Sequence, residues 1–224
     1  MCINSCLAYV GPYSDHDHCP TCGEDRYDPI KSTHKKKVPC QQFHTIPIGP
    51  QLQALWRSPE GSQNMRYLDQ RTEELLAELE DSNGHVKTYD DICCGSDYIK
   101  LAGTGTIKPG DVMLMLSIDG AQLYKNKASD TWIWIWIILN LSPDLRYKKK
   151  YVLPGGFLPG PRPPGNPDSF LVPSLHHVAA LMNDGLPIWD AQRNITFISQ
   201  VFLSSYVPMQ YNICFTGILL PLMC

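Results

Sequence analysis

A mixed α/β fold follows from three features of this 224-residue sequence. Val112 to Asp119 is a near-continuous apolar run closed by an acid. From Trp132 to Leu141, Trp132, Trp134 and Trp136 share one face while Ile133, Ile135 and Ile137 share the other. Both faces are apolar, so this second strand is predicted to be covered on both sides. Leu171, Leu175, Val178, Ala179 and Met182 recur at helical spacing between Ser169 and Asp184.

Composition bounds the rest. A chain with 43% hydrophobic and 18% charged residues has material for a core, which excludes wholesale disorder. A net charge of −3 excludes a uniformly basic nucleic-acid coat. Nineteen prolines exclude a helical bundle throughout. The densest apolar run, Trp132 to Leu139, falls well short of the roughly 18–20 residues of a membrane span. Met1-Cys2-Ile3-Asn4 does not open a basic-then-apolar signal. The expectation is an intracellular, reducing setting without membrane contact. Nine cysteines there read as metal ligands or free thiols rather than disulfides.

Three segments follow. Residues 1–28 hold four cysteines and little apolar periodicity, so they need a staple to fold. Residues 29–110 combine a Pro-rich connector, through about residue 60, with an acidic helix. That helix carries Leu68, Leu75, Leu76 and Leu79, and Asn83-Gly84 stops it. Residues 111–224 hold the strands. After the two above, Lys149 to Leu153 reads as a short third strand, and Pro154 to Pro167 as a loop. Asp168 is the expected helix cap, and Gly185 the expected stop. A fourth strand is expected from about Ile195 to Leu203. Three strands with short connections make an antiparallel meander, and a helical crossover brings the fourth in parallel. If it lies beside the first, Asp119 faces the residues just after Leu203.

Cys2-x3-Cys6-x12-Cys19-Pro20-Thr21-Cys22 is the sharpest local pattern. Two short pairs across a loop suit a structural, tetrahedral zinc ion. Four free thiols are the alternative, and His16 or His18 in place of one cysteine is another. Cys40, Cys93 and Cys94 read as buried or partly buried thiols, and His176-His177 as packed or surface histidines. Lys35-Lys36-Lys37 is a candidate DNA-phosphate contact or nuclear-import signal, weighed against a solvated loop.

One ordered series of motifs resembles a known family. It comprises Ser117-Ile118-Asp119-Gly120-Ala121-Gln122-Leu123-Tyr124, Ser129-Asp130-Thr131-Trp132-Ile133, and Asn140 to Tyr147. Leu153 to Pro164, Asp168-Ser169-Phe170 and Gly185 to Ala191 follow. With Cys2, Cys6, Cys19, Cys22 and Arg26-Tyr27 before them, they resemble the CACTA-type (En/Spm-like) DNA transposases. The resemblance implies a zinc-ribbon-like segment followed by a ribonuclease-H-like domain. It implies cut-and-paste transposition in the nucleus on transposon-end DNA. It also implies three carboxylates around two Mg²⁺ ions, the first of them Asp119.

The sequence departs from that pattern at the second acid. The family has an Asp just after the fourth strand, where this chain reads Ser204-Ser205-Tyr206-Val207-Pro208-Met209. Tyr206 stands at the Asp position, and a neutral phenol does not replace a carboxylate on Mg²⁺. The apolar ending after Gly217 also departs. The expectation is therefore a truncated, inactive transposase fragment. The alternatives are a non-catalytic zinc-containing DNA- or protein-binding relic and a decayed gene product.

Overall fold

The computed structural model describes residues 1–122, 130–160, 162–208 and 215–216. Leu123 to Ser129 and Pro161 of the resembling motifs lie outside the described residues, as do Met209 and the ending from Gly217.

Eight strands are described: β1 (His44–Thr45), β2 (Val112–Gln122), β3 (Asp130–Ile138), β4 (Leu153–Pro159), β5 (Leu186–Asp190), β6 (Ile195–Ser199), β7 (Val201–Pro208) and β8 (Phe215–Thr216). The helices are α1 (Ile48–Leu55), α2 (Pro59–Asn64), α3 (Tyr67–Asp81), α4 (Ser96–Gly103), α5 (Pro143–Arg146) and α6 (Pro167–Asp184). The main sheet runs β1-β4-β3-β2-β7-β8, and β5-β6 form a separate two-stranded sheet. Among the described residues no helix is long and apolar enough to cross a membrane.

Burial on both faces of β3 is observed. Trp132, Trp134 and Trp136 enter one core with Val112, Leu114, Leu116 and Ile118 of β2, Phe170 and Val178 of α6, and Ile48 and Leu52 of α1. Ile137 enters a second core on the opposite face with Met113, Leu68 and Leu75 of α3, and Tyr98 of α4. Alternation along β2 therefore sends even-numbered residues to one core and odd-numbered residues, Asp119 among them, to the other face. α3 ends as expected. Asn83 has φ 54° and Gly84 φ 87°, and Gly84 N–H donates to Leu79 O at 2.8 Å, as in a Schellman cap.

The β2–β3–β4 meander is antiparallel, and β7 lies parallel to β2. Several expectations need correction. The third strand is Leu153–Pro159, which from Pro154 on falls in the stretch expected as a loop, whereas residues 147–151 form turns. Its glycines are there because of the tryptophans. A Cβ on Gly155 or Gly156 would lie 2.4 Å or 2.1 Å from the Trp134 ring. A glycine pair in a strand marks that close approach. The connector holds α1 and α2. Pro50 and Pro59 fall in their first turns, where the missing N–H costs nothing, and Ile48, Leu52 and Trp56 are buried.

Asn166, not Asp168, caps α6. Its side chain accepts the Ser169 N–H at 3.1 Å, while Asp168 sits in the first turn. The expected fourth strand divides in two. Residues 195–199 pair with the unforeseen β5, and β7 begins after Gln200. β2 also runs three residues past Asp119, to Gln122.

Candidate metal centre and carboxylate site

The sulfurs of Cys2, Cys6, Cys19 and Cys22 all lie within 4.8 Å of one another. Zn–S bonds of about 2.3 Å in a tetrahedron separate sulfurs by about 3.8 Å, so the cluster is compatible with one zinc ion. Two tight turns make it. Ser5 N–H donates to Cys2 O, with Ser5 itself at φ 57°, and Gly23 N–H donates to Cys19 O, with Gly23 at φ 77°. Amides point at sulfur as a thiolate centre requires. Asn4 N–H donates to Cys2 Sγ at 3.4 Å, and its side-chain amide to Cys22 Sγ at 3.6 Å.

Electrostatics differ across the four. The Glu24 backbone N–H holds the exposed Cys22 thiol down to about 7, whereas burial and then the neighbouring Cys22 and Cys2 push Cys6 up to about 12. A cation at the centre removes that conflict by stabilising every thiolate. The histidine alternative is not taken up. His18 pairs with Asp25 at 2.6 Å, and neither His16 nor His18 belongs to the cluster.

The cysteine segment is bonded to the main core. Ala8 N–H donates to Ser169 Oγ at 2.9 Å, Gly165 N–H to Ser5 O at 3.0 Å, and Asn166 N–H to Cys6 O at 2.8 Å. Arg26 lies over the rings of both Tyr9 and Tyr27 at 4.9 and 5.1 Å. Lys35, Lys36 and Lys37 are exposed beside the Thr33–Lys36 bridge. Lys37 is engaged, 3.2 Å from Asp17 and over the Tyr27 ring, which leaves Lys35 and Lys36 projecting.

Asp119 is partly buried on β2, opposite Ile133 of β3. Its Oδ1 accepts the N–H of Gly120 at 2.8 Å. The expected apposition with the residues just after Leu203 is displaced. A bulge pairs Leu114 with Leu203 and Met115 with Ser205, and Ser204 Oγ donates to Leu114 O at 2.9 Å. Tyr206 then pairs with Leu116 and Pro208 with Ile118. The Tyr206 backbone thus lies three residues short of Asp119, about 10 Å along the strand. The Tyr206 side chain lies outside the described residues. Among the described residues, the thiol cluster is the one group of three or more potential ligands close enough to share an ion, and Asp119 belongs to no such group.

Other motif residues prove to be scaffold. Asn140 accepts Met113 N–H and donates to Asp111 O, which ties the start of β2 to the end of β3. Arg146 makes a buried bidentate pair with Asp91 at 2.7 Å and donates to Leu139 O and Leu141 O. Asp190 pairs with the buried Arg66. Sequence reasoning missed these pairs because each partner lies far away in the chain.

Residues 103–208 match the model of transposase family tnp2. The tnp2 match covers just under half of the chain and supports transposase ancestry. It begins at the end of α4 and takes in the β2–β3–β4 meander, α6 and β7. No curated protein and no solved structure matches the chain.

Proposed function

We propose that residues 111–224 derive from the ribonuclease-H-like catalytic domain of a CACTA-type DNA transposase, truncated, with Asp119 as its first carboxylate. In this reading the 1–28 segment is a zinc-ribbon-like unit and 29–110 joins the two. The observation that carries it is the strand arrangement: an antiparallel meander, a helix, then a strand returning parallel to the first. The tnp2 match over residues 103–208 supports it. The ancestral reaction is phosphodiester cleavage and strand transfer on nuclear DNA with Mg²⁺.

The residues present do not fit a pair of Mg²⁺ ions. Tyr206 offers a neutral phenol where a carboxylate is needed, and among the described residues Asp119 belongs to no group of three or more potential ligands. The chain is therefore inert as a nuclease. A supercoiled-plasmid assay with Mg²⁺ or Mn²⁺ tests this. The expected result is no nicking above buffer. Nicking that disappears in Asp119→Ala would overturn it.

A second reading rests on Lys35 and Lys36, which project from a tight turn beside the thiol cluster's segment. On it, the chain retains salt-dependent DNA binding without catalysis. Affinity for duplex DNA that falls with salt and with Lys35→Ala/Lys36→Ala supports it. No binding at low salt removes it.

A further inference from the structure

The β5–β6 hairpin carries three of the seven large apolar side chains that are exposed among the described residues. Trp189, Ile195 and Ile198 are 47%, 48% and 60% accessible. β6 has β5 on one edge and no strand on the other among the described residues. The free edge can be read from Pro187. It has no N–H to give, and its carbonyl accepts from Gln53 Nε2, so position 187 faces away from β6. Its cross-strand partner is Ile198, and Trp189 partners Thr196. By antiparallel alternation, the backbone N–H and C=O of Thr196 and Ile198 then point out of the unpaired edge.

Natural edge strands are guarded by charge, proline or a bulge. Ile195-Thr196-Phe197-Ile198-Ser199 has none of these and is rich in β-branched and aromatic residues. The surroundings speak against a polyanion. The cavity that Ile195 and Phe197 line holds Asp69, Glu73 and Asp190 against Arg66 and Arg193, and Arg66 is already paired with Asp190.

We infer that β6 pairs edge to edge with β6 of a second copy of this chain. A two-fold axis at Phe197 sets Thr196 of one copy against Ile198 of the other, and the reverse. These are the residues whose backbone groups have no partner among the described residues, so four hydrogen bonds form with no orphan left between them. The strand is uncharged, so a copy meets no like charge on it. The Pro187, Trp189, Thr196 and Ile198 face becomes one apolar strip across four strands. Four side chains a side fall short of the roughly 800 Å² per partner of a standard interface, so the dimer is reversible and concentration-dependent. The inference rests on the strand edge and stands apart from transposase ancestry.

Sedimentation velocity and amide exchange of the full chain over a wide concentration range test it. The sedimentation coefficient rises with concentration, and the Thr196 and Ile198 amides exchange more slowly as it does. Ile198→Lys puts a charge on the edge. Thr196→Pro removes an outward donor and spares the β5–β6 ladder. Each weakens association at least about ten-fold and leaves thermal unfolding near wild type. Two variants guard against one failing to fold. A monomer at every concentration overturns the inference, as does association indifferent to both changes. Protection of those amides that does not depend on concentration means the chain covers its own edge, and overturns it too. So does an edge that takes an unrelated extended peptide but no second copy.

Discussion

The carbonyl of Cys6 accepts the backbone N–H of Asn166 at 2.8 Å, and Asn166 Oδ1 accepts the N–H of Ser169 at 3.1 Å. A member of the thiol cluster thus holds the residue that caps α6, and α6 covers the tryptophan face of the sheet. Asn166→Ala removes the cap and is expected to cost about 1 kcal/mol, a fall in Tm of about 2–4 °C for a chain this long. Asn166→Asp keeps an acceptor and most of the stability. Thermal unfolding followed by circular dichroism checks both.

Gly156→Ala is expected to be far more damaging. The new Cβ would stand 2.1 Å from Trp134 and 2.5 Å from His44 O. Neither a buried indole nor a strand carbonyl gives way easily, so the cost is about 3 kcal/mol or more. Urea unfolding measures it. A loss below about 1 kcal/mol would mean that β4 moves freely off β3.

Acid acts on two partly buried groups with opposite sign. His177 Nε2 accepts the Gly49 N–H at 3.1 Å, and burial holds its pKa below the usual value. The stability it contributes is complete above about pH 6.5 and is lost as pH falls through its folded-state value. Asp69 is raised to about 6, by burial first and then by Asp111, against the favourable Gly110 N–H. Its ionised form therefore weakens the fold above about pH 6, a penalty that fades toward pH 4. Asp69→Asn is expected to stabilise by about 1–2 kcal/mol at pH 8 and by nothing near pH 4. His177→Gln flattens the loss below pH 6.5. Unfolding curves for the three proteins across pH separate the contributions.

Much of this architecture is readable without coordinates, for identifiable reasons. The Trp132–Trp136 alternation announces a strand packed on both faces, and cores do lie on both sides of it. The leucine spacing of α3 and the Asn83-Gly84 stop are local signals, as is the cysteine spacing, because a metal site made of two tight turns is written in short stretches. β4 was hidden because its prolines and glycines read as a loop. Gly155 and Gly156 instead answer to Trp134, a constraint from another strand. β5 was hidden by Pro187, which an edge position tolerates. β6 and β7 read as one strand because Gln200 is no turn former. Its N–H and C=O are taken up by Asp111 and Val112. The bulge at Ser204 that shifts Tyr206 away from Asp119 has no sequence signature at all.

Metal content with and without chelator, read together with α6 amide exchange, tests most directly whether a thiolate-bound ion staples this fold. One zinc ion per chain is expected, replaceable by Co²⁺ with the visible bands of a tetrahedral four-thiolate site. Removing the ion should cost at least about 3 kcal/mol, a fall in Tm of ~10 °C, and should release the first-turn amides of α6 through the Cys6–Asn166 bond. Cys19→Ser should do the same. A chain that purifies and folds metal-free, or one whose α6 exchange ignores the chelator, would contradict it.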